Sequence, residues 1–89
     1  MKKYTSDFDE NLSIIENKQV IKIEEQNKEY AGKFKTVFYI PSKTNPQGKM
    51  CIAWHKTHFK LNDYIDLKGR FKDDVFIAYS TMIRFRANK

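Results

Sequence analysis

Two apolar runs divided by a short acidic turn, between Lys60 and Arg86, constrain this chain more than any other stretch. In the first run Ile65, Leu67 and, past Gly69, Phe71 fall on one side of an extended backbone. Tyr64, Asp66, Lys68 and Arg70 fall on the other. A period of two is the pattern of a strand with one face buried. The second run, Val75 to Phe85, is rich in β-branched and aromatic residues and is too apolar to lie at an edge. Lys72-Asp73-Asp74 between the runs is a polar turn, so the pair reads as an antiparallel hairpin.

Three more strands precede it. Gln19 to Gln26 carries Ile21 and Ile23 opposite Lys22 and Glu24. Asn27 to Gly32 follows as a polar loop. Lys33 to Ile40 sets Phe34, Phe38 and Ile40 on one side, the natural core face. Lys33, Lys35, Val37 and Tyr39 are on the other. Pro41 to Lys49, with two prolines and a glycine, stops that strand. Met50 to Lys56 is the third. Residues 1–17 read as an acidic lead-in to a barrel domain over residues 18–89. Ser6-Asp7-Phe8-Asp9 has the form of a capping box opening one or two turns of helix, with Phe8, Leu12 and Ile15 on one stripe; the competing reading is a polar tail that runs into a short strand at Leu12–Ile15.

The expected strands are therefore about 19–26, 33–40, 50–56, 64–72 and 75–86. Five strands in 89 residues make a poor flat sheet, because both faces and both edges would meet water. A chain this short buries only about 60–65% of its unfolded surface, so the core is small. Closure into a small all-β barrel answers this, by an OB-type or an SH3-like solution.

Leu61-Asn-Asp-Tyr-Ile-Asp-Leu-Lys-Gly-Arg70 resembles the fourth strand of OB-fold proteins, in which a polar turn leads to alternating apolar residues and a glycine that lets the strand coil. Val75-Phe-Ile-Ala-Tyr79 resembles the fifth. The resemblance spans roughly residues 19–86 and implies a five-stranded OB-like barrel of the kind found in small single-stranded-DNA-binding proteins. One departure stands out. OB-folds often carry a helix between the third and fourth strands, and Thr57–Asn62 has room for a single turn. That departure keeps an SH3-like barrel as the alternative.

Charge agrees with a polyanionic partner. Residues 1–30 hold five lysines against seven carboxylates, net −2; residues 31–89 hold twelve cations against four carboxylates, net +8. The positive excess thus lies with the aromatic, strand-rich part of the chain. An OB face binds single strands with cations for phosphates and aromatic rings for bases. Lys33, Lys35 and Tyr39 share one face of the second expected strand, and Trp54 and Lys56 one face of the third. Lys43 and Lys49 lie on the loop between them, and Arg84 and Arg86 on one face of the last strand. These nine residues are the candidate nucleic-acid-binding set. Trp54 shares its parity with Met50 and Ile52, which argues for burial, while Cys51 and Ala53 are small enough to pack on the other side.

Other chemistries find little support. Cys51, His55 and His58 lack a fourth zinc ligand, and strand spacing separates Cys51 from His55. No Gly-x-Ser-x-Gly, Walker loop or His-Glu-x-x-His occurs, and Asp63, Asp66, Asp73 and Asp74 read as solvated turn and surface carboxylates. The expectation is a non-enzyme with no cofactor and no metal. No apolar stretch approaches a membrane span, the start of the chain lacks a signal-peptide core, and a single cysteine favours a reducing cytoplasm. The expected partner is single-stranded DNA or RNA, with a replication or recombination protein as a further one. The competing reading is a phage- or plasmid-type accessory factor whose basic face docks on a replication or defence protein. Two barrel edges leave a homo-oligomer open, with no residue pattern that specifies it.

Overall fold

The computed structural model of the chain describes residues 12–87. Their regular structure is entirely β: β1 (Ser13–Gln19), β2 (Lys22–Tyr30), β3 (Lys33–Ile40), β4 (Lys49–Ala53), β5 (Tyr64–Lys72) and β6 (Val75–Phe85). The six strands form one sheet in the order β1-β5-β6-β4-β3-β2. Every neighbouring pair is antiparallel except β4 and β6, which run parallel. The expected hairpin is β5–β6. Its turn is made by Asp73, which takes a left-handed φ of 57°, and Asp74. β6 lies between β5 and β4, the interior position its composition requires.

The expected count of five becomes six at the start of the chain. The Val20 N–H donates to the Asp63 carbonyl at 2.8 Å, and the next N–H, of Ile21, donates to the Tyr39 carbonyl at 2.9 Å. One residue step thus switches the chain from the β5 side to the β3 side. β1 and β2 stand at opposite ends of the sheet order yet are consecutive in the chain. They do not pair with each other, so the ladder is not closed. Residues 13–17, read from sequence as part of the lead-in, begin β1; Ile15 packs against the core while Ile14 faces out. The Ser6–Asp9 capping box lies outside the described residues.

Two asparagines shape these split strands. Asn17 (φ 57°) sits at the register shift between Ile15 and Lys18, and Asn27 (φ 55°) at the shift between Glu25 and Lys28. Asparagine tolerates the left-handed region better than most side chains, which suits it to such bulges. Asn27 to Gly32 is therefore not a loop. β2 runs on to Tyr30 and turns through Ala31 and Gly32, with φ 51° and 83°, the two left-handed residues of a tight hairpin.

One core forms around Phe38, Phe59, Phe76, Ile65 and Leu67, with Val20, Ile40, Cys51, Ala53 and Ala78. Gly69 lets β5 pass over β6, since a Cβ there would drive into the Ile77 carbonyl oxygen. Phe71 shares the core parity but lies past the buried stretch, 51% exposed, with its ring against Phe76 at 4.9 Å. Residues 54–63 hold no helix. Phe59 fills that end of the core from the loop, edge-on to Phe38 at 4.8 Å. Asn27 clamps the loop: its Oδ1 accepts the Thr57 N–H at 2.8 Å and its Nδ2 donates to the Thr57 carbonyl at 2.9 Å. Gln26 Nε2 adds a donation to the Phe59 carbonyl at 2.7 Å. Among the described residues no helix is long and apolar enough to cross a membrane.

Candidate functional site

Ladder register sets the outward face of β2-β3-β4-β6-β5 in rows. Glu25, Val37, Ile52, Ile77 and Arg70 are successive partners in one row, and Lys22, Tyr39, Met50, Val75 and Lys72 in the next. On the other side Lys28 pairs with Lys35. Trp54 and Tyr79 follow Ala53 and Ala78, which are partners across the parallel pair. The inward positions of β4 are the small Cys51 and Ala53, both fully buried, because Phe38 and Phe76 already fill the space beside them. Trp54 therefore projects outward, 47% exposed, against the burial that its shared parity with Met50 and Ile52 had suggested.

Three side chains meet on this face. The Lys35 ammonium stands 5.1 Å from the Trp54 ring and 5.4 Å from the Tyr30 ring, and the two rings approach edge-on at 6.3 Å. A second group is Tyr39 under the Lys22 ammonium at 5.2 Å. Each tyrosine hydroxyl is anchored: Tyr39 donates to Glu24 at 3.1 Å, and Tyr30 donates to both Glu25 oxygens at 3.3 Å. Partial desolvation, and then the carboxylates, raise both phenols above their usual range, so both remain donors. Val37, although outward, is only 7% exposed, which means that longer side chains lie down over the middle of the sheet. Arg70 belongs to that layer, and its buried Nε has no hydrogen-bond partner among the described residues. Lys22, Lys28, Lys33, Lys35, Lys68, Arg70 and Lys72 have the outward parity of these strands, together with Glu24 and Glu25.

The nine candidate residues are distributed unevenly. Lys35, Tyr39 and Trp54 come together on the face. Lys33 is exposed at the hairpin tip, opposite Tyr30. Lys43 is exposed in the 41–48 loop. Lys49 reaches over Phe71 at 5.4 Å, and Lys56 over Phe34 at 5.1 Å, both at the rims. Arg84 and Arg86 are elsewhere. Arg84 Nε donates to Asp66 at 2.9 Å, and Arg86 stands 3.7 Å from Asp63. Arg84 lies five residues beyond Tyr79, about 16 Å along the strand.

Of those two carboxylates Asp63 is not the solvated group the sequence suggested, while Asp66 lies on the exposed face and is held there by hydrogen bonds. Asp63, 3% exposed, accepts the Lys60 N–H at 2.8 Å and the Ala87 N–H at 2.9 Å, tying loop and C-terminal segment together. Burial alone would raise its carboxyl; the two N–H donors and the nearby Arg86 and Lys60 charges outweigh that and leave it below the usual range. Asp66 accepts from Arg84 and from the Asn17 N–H at 2.8 Å, which lower its carboxyl too. Both fasten the β1-β5-β6 side.

Sequence reading missed Tyr30, Lys22, Lys28 and Arg70. Tyr30 became visible only with the two-residue turn: Ala31-Gly32 between two strands sets Tyr30 opposite Lys33, on the face of Lys35. Cys51, His55 and His58 do not converge. Cys51 is buried, its thiol pushed up to about 12 by desolvation; His55 bonds Thr81 at 3.2 Å; His58 is exposed. Among the described residues no three His, Cys, Asp or Glu side chains gather as a metal site. Comparison with protein-family models, curated proteins and solved structures gives no match to this chain.

Proposed function

We propose that this chain is a small OB-like barrel that binds single-stranded nucleic acid without catalysis, with single-stranded DNA as the first candidate and little sequence preference. The strand order supports the barrel reading. β1 and β2 act as halves of one bent first strand, joined through Val20 and Ile21 and pairing with β5 and β3 respectively. The parallel β4/β6 contact brings the third and last strands of such a barrel together.

The observation that carries the binding reading is Tyr30, Lys35 and Trp54 meeting on the outward face of β2-β3-β4. A base stacked on an exposed ring contributes about 1–3 kcal/mol whatever its identity. The lysines that rest over these rings are held by cation–π contacts worth about 0.5–1 kcal/mol at exposed sites. An incoming base displaces such a lysine cheaply, and the freed ammonium is then near the phosphate that arrives with it. Ring and charge thus exchange partners together.

Trp54 is the only tryptophan, so its emission reports on this site alone. Titration with a short oligothymidine at low salt is expected to quench it, reversibly with added salt. An unchanged emission together with flat anisotropy of a labelled oligonucleotide would reject this reading. A basic face docking on an acidic protein surface would then be the better one.

A further inference from the structure

A half-open groove of about 360 Å³ runs between the loop after β4 and the outer part of β6. It begins where the aromatic platform ends, since His55 and Lys56 follow Trp54 directly and Tyr79 forms part of its wall. Buried Phe59 and exposed His58 and Met82 are among the residues that line it. Its volume lies at the lower end of the range that holds small ligands, about 300–1,000 Å³. No carboxylate lines it among the described residues, in contrast to the platform with Glu24 and Glu25.

Its polar and apolar groups are sorted. Tyr79 and Met82, 47% and 63% exposed, are large apolar residues that line it from β6. The nitrogens lie on the loop side. His55 Nε2 shares a hydrogen bond with the Thr81 hydroxyl at 3.2 Å. When Thr81 donates, the imidazole proton sits on Nδ1 as a free donor, and an anion in the groove favours that tautomer. Exposed His58 and Lys56 supply further donors; the Lys56 ammonium rests over Phe34 at 5.1 Å, a weak contact that a phosphate outcompetes.

We infer that this groove is a binding site for one nucleoside monophosphate unit, its base against Tyr79 and Met82 and its phosphate toward His55, Lys56 and His58. The unit is either a free nucleotide or the phosphorylated end of a strand lying on the platform. In the second case the inference extends the single-strand reading; in the first it stands without it.

The chain has two histidines, so the imidazole C–H resonances report on His55 and His58 alone. Adding a nucleoside 5′-monophosphate is expected to shift both saturably, with a dissociation constant on the order of 1 mM or tighter. The nucleoside alone and inorganic phosphate alone are expected to bind at least about tenfold more weakly. Tyr79→Ala and Lys56→Glu, both at exposed positions, should each weaken the nucleotide at least about fivefold while the amide spectrum stays dispersed. Histidine signals unmoved by the mononucleotide would overturn the inference. So would inorganic phosphate matching the nucleotide while Tyr79→Ala has no effect. A 5′-phosphorylated oligonucleotide shifting the signals at lower concentration than the mononucleotide identifies a strand end, and the reverse order a free nucleotide. Quenching of Trp54 by oligonucleotides with silent histidines would reject the groove and keep the platform. Histidine shifts without any oligonucleotide binding would do the opposite.

Discussion

Replacing Asn27 tests whether the loop after β4 is held by the clamp described above. Asn27→Ala leaves the Thr57 N–H and carbonyl without their partners, and Thr57 is 2% exposed, so water does not replace them. Each unpaired buried group costs about 1–3 kcal/mol. Alanine at φ 55° adds about 1 kcal/mol of backbone strain. The expected loss is roughly 3–7 kcal/mol. A domain of this size has only about 5–13 kcal/mol in total, so the variant should sit close to unfolding at room temperature. Asn27→Gly loses the same hydrogen bonds without the strain and should be about 1 kcal/mol more stable than Asn27→Ala. Urea unfolding followed by far-ultraviolet circular dichroism measures both. An alanine variant within about 1 kcal/mol of the parent would refute the clamp, and a glycine variant no better than alanine would refute the strain.

Asp63→Asn should flatten the acid limb of stability. The folded Asp63 carboxyl lies below its unfolded value, so its contribution is present above about pH 4 and is lost as pH falls through the folded value. The gap between parent and variant in thermal melts should therefore narrow below about pH 4, and a constant gap would count against the assignment. Gly69→Ala should destabilise by about 2 kcal/mol or more, because the Ile77 carbonyl blocks a Cβ there; a melting temperature within a degree or two of the parent would contradict this. Trp54→Ala should reduce oligonucleotide affinity by about 5- to 150-fold, while the half-exposed ring costs no more than about 2 kcal/mol of stability. Unchanged affinity in equilibrium titrations would remove Trp54 from the platform.

The hairpin of Ile65, Leu67 and the Val75–Phe85 run was legible because each strand has one wet and one dry side, which period-two alternation reports directly. β3 was legible for the same reason, down to Phe38 and Ile40 inside and Lys35 and Tyr39 outside. β2 was not. Its asparagine bulge at Asn27 shifts the register, so the Asn-Lys-Glu-Tyr segment shows no alternation and imitates a loop. β4 misled for another reason. Its inward residues are the small ones, because large aromatics on β3 and β6 had taken the volume, and that is set by partners far away in the chain. Of the candidate site, Lys35 and Tyr39 were within reach of parity alone, whereas the parity of Trp54 with Met50 and Ile52 argued for burial and only the small Cys51 and Ala53 pointed the other way. The engagement of Arg84 by Asp66 was not, since the two are 18 residues apart and meet only through β5–β6 register.

The most direct test of the single-strand reading is the affinity for a labelled single-stranded oligonucleotide, measured by anisotropy across a salt series. Each phosphate neutralised on a single strand contributes about −0.7 to the slope of log affinity against log salt. Engagement of three to five of the outward cations therefore gives a slope of roughly −2 to −3.5, or about 20- to 130-fold weaker binding between 50 and 200 mM salt. Absence of binding at low salt, or an affinity that does not change across the series, would contradict it.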